Sequence, residues 1–213
     1  MTDGPRTARP ESPVVVRTAY SGRAVEYADL LGSMASVHPS DLQLVTSWAD
    51  RIDGRALDAG CGPGHWTAYL ASRGLDVRGI DLVPEFIEHA RTHHPGARFD
   101  LGTLDALDAE TGSVGGVLAW YSLIHHHPDT IGVPLTEFAR VLRTGGELLI
   151  GCFVGASVEA FDHAVMTAYR WPVMELAERV RRAGFDIVET HARTSLDQRP
   201  HGAILARRAD AVR

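Results

Sequence analysis

The chain has 213 residues, 45% of them hydrophobic, which is enough for one domain with a sizeable buried core. Its net charge of −6 is spread along the chain and argues against a nucleic-acid backbone as the main partner. All 21 basic residues are arginine, so lysine Schiff-base chemistry, a pyridoxal phosphate anchor and a lysine general base are excluded.

From the amino terminus, the chain divides into a tail, a helical segment and an alternating segment. Residues 1–13 are rich in Pro, Arg, Thr and Ser without an apolar period, which predicts a disordered tail. Apolar residues recur at helical spacing within residues 14–50, so helices are expected there. After that, strands are predicted at 56–59, 76–80, 97–101, 114–120 and 147–153, and helices at 64–72, 84–93 and 134–142.

The carboxyl-terminal part departs from this alternation. A helix predicted at 172–183 is followed by two strand-like runs, 185–191 and 202–207, with only a polar loop between them. Two consecutive strands without a helix imply a hairpin, so the last strand should run antiparallel to the others. The pattern predicts an α/β fold: one domain over residues 14–213, with a seven-stranded, mostly parallel sheet, helices on both faces and an antiparallel last strand.

A glycine-rich turn follows the first predicted strand, in the sequence Leu57-Asp58-Ala59-Gly60-Cys61-Gly62-Pro63-Gly64. Alternating glycines at a strand end indicate a sharp turn that lets a ligand approach the backbone, and the next helix presents free N–H groups. The turn therefore predicts a nucleotide-like cofactor. The dinucleotide fingerprint places its third glycine at the sixth position, where this chain has His65, and no P-loop lysine follows.

An acidic residue, Asp81, ends the second predicted strand about twenty residues after the glycine turn. A carboxylate at this place can accept hydrogen bonds from both ribose hydroxyls of an adenosine. The surface alternative is a carboxylate that only caps the next helix.

These motifs, in this order, resemble those of the class I S-adenosylmethionine (SAM) methyltransferases, which have a Rossmann-like fold. The resemblance continues in Gly79-Ile80-Asp81-Leu82, in Gly102-Thr103-Leu104, in Leu118-Ala119-Trp120-Tyr121-Ser122 and in the Leu-Arg-Thr-Gly-Gly turn at 142–146. It implies SAM as cofactor, S-adenosylhomocysteine (SAH) as product, and residues 14–50 as a helical lid over the cofactor. The implied cofactor-binding residues are Tyr20, Tyr27, Asp58, Gly60, Cys61, Gly62, Asp81, Leu82, Thr103, Leu104, Trp120 and Tyr121. Thr103 stands where the family usually has an aspartate that contacts adenine.

Three successive histidines, His125, His126 and His127, follow the fourth predicted strand. Adjacent side chains point in different directions and no Glu or Cys stands at metal-ligand spacing, so no metal is expected. Histidine titrates near neutral pH and can take a proton from an attacking hydroxyl or amine. His125 and His126 are therefore the candidate general bases, with core packing or a turn hydrogen bond as the alternative.

Residues 153–172 lie between the fifth strand and the next helix, where the family commonly has an insertion that walls the acceptor pocket. The resemblance makes this segment a candidate acceptor-binding insertion, and a helix packed on the sheet is the alternative. Its candidate substrate residues are His163, Tyr169, Arg170 and Trp171.

The function predicted from these motifs is SAM-dependent transfer of a methyl group, by in-line displacement, to a hydroxyl, amine or thiol of a small metabolite, for example in secondary metabolism. The motifs of DNA amino-methyltransferases and cytosine methyltransferases are absent, so no nucleic-acid partner is expected. The alternatives are a SAM-binding regulator, a non-methylating SAM-dependent cyclase, an NAD-dependent oxidoreductase and an RNA or protein methyltransferase. The sequence leaves open the acceptor and whether the protein is a monomer or a homodimer.

The sequence also predicts a location. No apolar run can span a membrane and both cysteines are expected to be free thiols, so a cytoplasmic protein is predicted.

Overall fold

The computed structural model describes residues 13–194 and 199–210, so the predicted tail lies outside the described residues except for Pro13. The strands are β1 Ala56–Ala59, β2 Val77–Asp81, β3 Arg98–Leu101, β4 Val114–Trp120, β5 Leu142–Val154, β6 Glu159–Asp162, β7 Thr167–Trp171, β8 Phe185–Arg193 and β9 His201–Arg208. The helices are α1 Pro13–Ser21, α2 Ala24–Leu31, α3 Pro39–Ala49, α4 His65–Ser72, α5 Pro84–His93, α6 Gly132–Val141 and α7 Val173–Arg182, with a 3-10 helix at Met34–Ser36.

The main sheet has the strand order β3-β2-β1-β4-β5-β9-β8. Strands β1 to β5 pair in parallel, whereas β9 pairs antiparallel to both β5 and β8. The chain moves outward from β1 to β3 and then returns to place β4 on the other side of β1. The predicted fold class and the antiparallel last strand are confirmed, and the strand order reverses between β1 and β4.

The strand count of seven is wrong, because the described part of the sheet has nine strands. The additional pair, β6 and β7, is an antiparallel hairpin within the predicted insertion. Pairing between β4 and β5 ends at Gly151, and β5 continues beyond it to Val154. β7 pairs in parallel with Phe153 and Val154, so it satisfies backbone groups that β4 leaves open. The segment is therefore a hairpin added to the sheet.

Helices cover both faces of the sheet. On one face, α6 and α7 contribute Phe138 and Leu176 to the largest apolar cluster, while on the other α3 and α4 contribute Trp48 and Leu70. A site must therefore lie at the ends of the strands, and open α/β sheets bind ligands at the carboxyl ends. Within residues 13–194 and 199–210, no helix is long and apolar enough to cross a bilayer.

The helices of residues 14–50 fall into two groups. Tyr20 of α1 and Ala24 of α2 pack against Val83 and Phe86, which lie just beyond the carboxyl end of β2. Helix α3 instead packs on the sheet face through Trp48. Within the predicted lid, only α1 and α2 therefore lie at the carboxyl edge of the parallel strands near β2.

Candidate cofactor site

A cavity of about 360 Å³ lies at the carboxyl ends of β1 to β4, where the strand order reverses. Open α/β sheets bind ligands at this position, and ligand sites typically measure ~300–1,000 Å³. Most of the predicted cofactor residues line it: Tyr20, Tyr27, Gly60, Gly62, Asp81, Leu82, Thr103, Leu104, Trp120 and Tyr121. The cavity thus brings together residues from five separate segments of the sequence.

The glycine turn has a backbone that glycine adopts most easily. Gly60 and Gly62 have φ values of 81° and 53°, in the left-handed region. A Cβ at Gly60 would lie 2.2 Å from the Cβ of Ser122, whereas no atom lies within 4 Å of a Cβ placed at Gly62. Gly60 therefore permits close packing of the turn after β1 against Ser122, two residues beyond β4, and Gly62 leaves backbone open to the cavity.

Asp81 joins the end of β2 to the glycine turn. One carboxylate oxygen accepts a hydrogen bond from the Gly62 N–H at 2.9 Å, and the other accepts from the Val83 N–H at 2.9 Å. Burial raises the pKa of Asp81 to about 6, while these backbone hydrogen bonds oppose the shift. At pH 7 the side chain is thus mainly a carboxylate, with lone pairs left to accept from ligand hydroxyls.

The other two predicted cofactor residues, Asp58 and Cys61, lie beneath the cavity. Asp58 accepts a hydrogen bond of 2.6 Å from the Thr67 hydroxyl, which ties β1 to α4. Burial raises the pKa of Asp58 to about 7, and the nearby Asp81 adds to this rise. Cys61 packs in an apolar cluster that includes Phe99. Both side chains therefore stabilise the protein around the glycine turn.

The part of the cavity beyond β3 contains a residue that sequence reasoning missed. The Thr103 hydroxyl accepts from the Asp105 N–H at 3.3 Å, so it stabilises the turn after β3. Asp105 lines the cavity, and one carboxylate oxygen lies 3.3 Å from Nε2 of His126. Its position two residues after Thr103 was the available signal, because Thr103 occupies the place of the family's customary aspartate.

Other missed lining residues are apolar or small: Val16, Val83, Phe86, Gly102, Ser122, Thr130 and Val133. Ser122 follows Tyr121 directly, and its hydroxyl oxygen is buried without a partner within the described part of the chain. Phe86 packs edge-to-face against Tyr20 at a ring-centroid distance of 5.7 Å. Such contacts have no sequence signal beyond the helical spacing of their own elements.

His125 and Tyr20 form a buried pair at the wall of the cavity. Nδ1 of His125 lies 2.7 Å from the Thr167 carbonyl oxygen, which can only accept, so Nδ1 carries the proton. The remaining nitrogen, Nε2, lies 2.7 Å from the Tyr20 hydroxyl and accepts its hydrogen bond. Burial lowers the pKa of His125 to about 4 and raises that of Tyr20. Both groups are therefore neutral at pH 7.

The three histidines point in different directions. His125 faces Tyr20, His126 faces Asp105, and Nδ1 of His127 accepts from the Asp129 N–H at 3.2 Å. Across residues 13–194 and 199–210, no group of three or more His, Cys, Asp or Glu side chains is placed to hold a metal ion.

The four candidate substrate residues lie away from this cavity. Trp171 and Tyr169 are buried in the main apolar cluster, because β7 is a strand of the sheet. Arg170 pairs with Glu159 of β6 at 3.0 Å. His163 packs against the ring of His125 at a centroid distance of 5.6 Å, which places it behind the catalytic candidate.

Comparison with known proteins finds similarity to methyltransferases over part of the chain. Residues 56–146 match a family described as Methyltransferase domain. The ubiquinone biosynthesis O-methyltransferase of Xylella fastidiosa (strain M23) is 31% identical over 137 residues, covering 62% of this chain and 55% of that protein. The malonyl-[acyl-carrier protein] O-methyltransferase of Erwinia billingiae is 29% identical over 139 residues, covering 65% and 52%. The chain thus spans about half the length of the curated relatives it matches.

Solved structures share the fold over nearly the whole chain. The Burkholderia thailandensis 1,6-didemethyltoxoflavin-N1-methyltransferase, solved with 1,6-didemethyltoxoflavin and SAH, has a TM-score of 0.71 at 24% identity, covering 97% of this chain and 94% of that one. The [4+2]-cyclase SpnF has a TM-score of 0.74 at 18% identity, covering 92% and 96%.

Fold and cavity together define a Rossmann-like α/β protein with its cavity at the carboxyl ends of the parallel strands. Residues 56–146 of this protein match the family described as Methyltransferase domain.

Proposed function

We propose that this protein is a SAM-dependent methyltransferase that methylates a hydroxyl, amine or thiol of a small molecule. The observation that carries the proposal is the hydrogen bond between the Gly62 N–H and the Asp81 carboxylate at the cavity. It joins the glycine turn and the acidic end of β2 into one surface. That surface suits a ligand with ribose hydroxyls and a charged amino-acid end.

Three further features fit SAM. The space at Gly62 lets a ligand reach the backbone, and the buried Ser122 hydroxyl lacks a protein partner within the described residues. Leu82 and Leu104 supply apolar side chains on either side of the region between β2 and β3, as a purine ring requires.

When bound, SAM supplies an activated sulfonium methyl group for in-line displacement, with the electron pair of the broken carbon–sulfur bond remaining on sulfur. The chain's task is to align the nucleophile and exclude water. Tyr20 and Tyr27 cover the cavity from α1 and α2, and Phe86 supports both rings. This aromatic group is the structural basis for proposing α1 and α2 as a lid.

The acceptor must lose a proton, and two histidines are available for it. A His125 imidazole with a pKa of about 4 is neutral but weakly basic, and Tyr20 already occupies its acceptor nitrogen. A proton can reach His125 only if Tyr20 takes it while passing its own to Nε2. His126 lines the cavity, and its Nε2 lies 3.3 Å from an Asp105 carboxylate oxygen, which can only accept, so Nε2 carries the proton. Its Nδ1 is buried without a hydrogen-bond partner within the described residues, so this nitrogen is left to accept a proton. We therefore favour His126 as proton acceptor and His125 as the group that positions Tyr20.

The second candidate is a SAM-binding protein that does not methylate. The engaged nitrogens of His125 favour it, because they leave one of the two candidate bases without a free acceptor site. Release of SAH with a methylated product separates the two functions. The buried, free Cys61 and Cys152 suit a reducing compartment, and on this basis we also propose a cytoplasmic location. A role in small-molecule, including secondary, metabolism belongs to the same proposal, because the proposed acceptor is a small molecule.

The test is calorimetric titration of the full chain with SAM, SAH and NAD, followed by a methyl-transfer screen of small acceptors. SAM and SAH should bind and NAD should not. Asp81→Asn should weaken SAH binding at least tenfold, whereas Asp100→Asn on the exposed end of β3 should not. Binding of NAD without SAM would overturn the proposal, as would unchanged SAH affinity in Asp81→Asn.

A further inference from the structure

A second cavity, of about 430 Å³, lies between α3 and the β8–β9 hairpin. Its described lining comes from α3, the end of β4, the end of β8 and the start of β9. Trp120 and Tyr121 line both this cavity and the first one. The two cavities are thus neighbours that share one pair of aromatic residues.

The sheet order explains this arrangement. The first cavity extends across the carboxyl ends of β3, β2, β1 and β4, a width of about 15 Å at the usual strand spacing. The second continues along the same edge, because β9 starts and β8 ends there, beyond β5. A donor in the first cavity and a molecule in the second would therefore meet at Trp120 and Tyr121.

Tyr121 is held firmly at this boundary. It is the only non-glycine residue of the described chain with positive φ, at 56°, a conformation that a bulky side chain rarely adopts. Its ring packs against Phe153 at 5.1 Å between centroids and against Trp120 at 5.5 Å. Its hydroxyl is hydrogen-bonded to Nδ1 of His201, and burial raises the pKa of Tyr121. The strained backbone thus directs a neutral phenol into the boundary.

The charged groups of the second cavity include no surplus of positive charge. Arg193 contacts both carboxylate oxygens of Asp41, at 2.9 and 3.1 Å, and each of these side chains is less than a quarter exposed. Glu189 lies 3.2 Å from His191. Burial and the nearby Arg193 lower the pKa of His201, which keeps its ring neutral at pH 7. Such a lining offers hydrogen bonds and aromatic faces but no unpaired positive charge to bind an anion.

We infer that the second cavity binds the methyl acceptor, and that the acceptor is a compact aromatic or heteroaromatic molecule without negative charge, bearing a hydroxyl or ring N–H. This inference rests on the proposed function. Trp120 and Tyr121 provide the aromatic contacts, and His201 with the serines of α3 provides the hydrogen-bonding groups. Tyr121 then determines which acceptor atom faces the donor.

Ligand-observed NMR on SAH-saturated protein tests the inference with four probes. Catechol and 5-hydroxyindole match the inferred class. 1,2-Cyclohexanediol lacks the aromatic ring, and 3,4-dihydroxybenzoate adds a negative charge. The first two should bind at least tenfold more tightly than the last two. Equal binding of the four probes would overturn the inferred chemical class.

Two exposed residues of α3 allow the cavity to be filled without disturbing the core. Ser47 and Gln43 both line it and stand one helical turn apart. Ser47→Trp and, independently, Gln43→Trp should weaken catechol binding at least tenfold and leave the SAH dissociation constant within twofold. Ser72→Trp on the exposed end of α4 is the matched control and should change neither.

Catechol binding that survives both fillings, or that SAH displaces, would overturn the assignment of this cavity. SAH binding without binding of any probe would overturn it as well. Failure of SAH itself to bind would instead overturn the proposed function, and the acceptor role with it.

Discussion

The buried His125 should make the stability of the protein depend on pH. Its pKa is about 4 in the folded chain and ~6.5 in an unfolded one, so between these values the unfolded state binds more protons. Stability contributed by the neutral ring is therefore complete above about pH 6.5 and is lost as the pH falls toward 4. Linkage gives a loss of ~2 kcal/mol in the free energy of unfolding between pH 7.5 and 5.

The assay is denaturant unfolding at 25 °C, at pH 7.5 and 5, of the wild type and His125→Phe. At pH 7.5 the variant should be less stable by ~1–3 kcal/mol, because the Tyr20 hydroxyl and the Thr167 carbonyl lose their partner. Between pH 7.5 and 5, the free energy of unfolding of the variant should decrease by ~2 kcal/mol less than that of the wild type. His65, whose pKa burial also lowers to about 4, contributes equally to both proteins and cancels.

His191→Phe, at an exposed position on β8, controls for the exchange of histidine for phenylalanine. An identical decrease in stability in wild type and His125→Phe would refute the reasoning, because the imidazole would then be solvated or already charged. The reasoning would also be refuted if His191→Phe changed the pH dependence of the free energy of unfolding as much as His125→Phe does.

Three further predictions concern the cavity. Gly60→Ala should lower the free energy of unfolding by more than Gly54→Ala does. Both glycines have left-handed φ, which costs an alanine ~1–2 kcal/mol, but only at Gly60 would the new Cβ meet a side chain, at 2.2 Å. Equal losses of stability in thermal denaturation would show that the turn relaxes around the new methyl group. Asp105→Asn should weaken SAH binding about fivefold by calorimetry, which corresponds to the free energy of one hydrogen bond. The exposed Asp108→Asn is the control and should leave the affinity unchanged. Unchanged affinity in Asp105→Asn would place Asp105 outside the cofactor contacts. Tyr121→Phe should lower kcat at least fivefold with the acceptor KM within twofold, as steady-state kinetics would show, because a bound but misoriented acceptor reacts more slowly; an unchanged kcat would contradict a positioning role.

The elements around the glycine turn could be predicted from the sequence almost to the residue. β1 and β4 begin and end where expected, and β2 and β3 differ by one residue, because each is a short apolar run bounded by turn residues. Local pattern also predicted Asp81 at the end of β2, where its side chain lines the cavity, and its contact with a cofactor stays a prediction.

The parts of the fold and of the site that could not be predicted depend on contacts between residues distant in the sequence. The β6–β7 hairpin has no tight-turn signature, and β7 joins the sheet only where β5 extends past β4. Tyr20 and His125 are 105 residues apart, so no spacing reveals that a predicted base already has its acceptor nitrogen engaged. The second cavity needs α3, β8 and β9 together, and it could not be anticipated from any one of them.

The Thr167 carbonyl has a consequence for ligand entry. Through His125 it connects the start of β7 to Tyr20 of α1, so one imidazole joins the additional hairpin to the amino-terminal helices. Movement of α1 away from the cavity removes the hydrogen bond to Nε2 and exposes that nitrogen to water, where it binds a proton more readily. Opening and proton uptake are therefore thermodynamically linked, and mild acid should increase the fraction of molecules that admit a ligand.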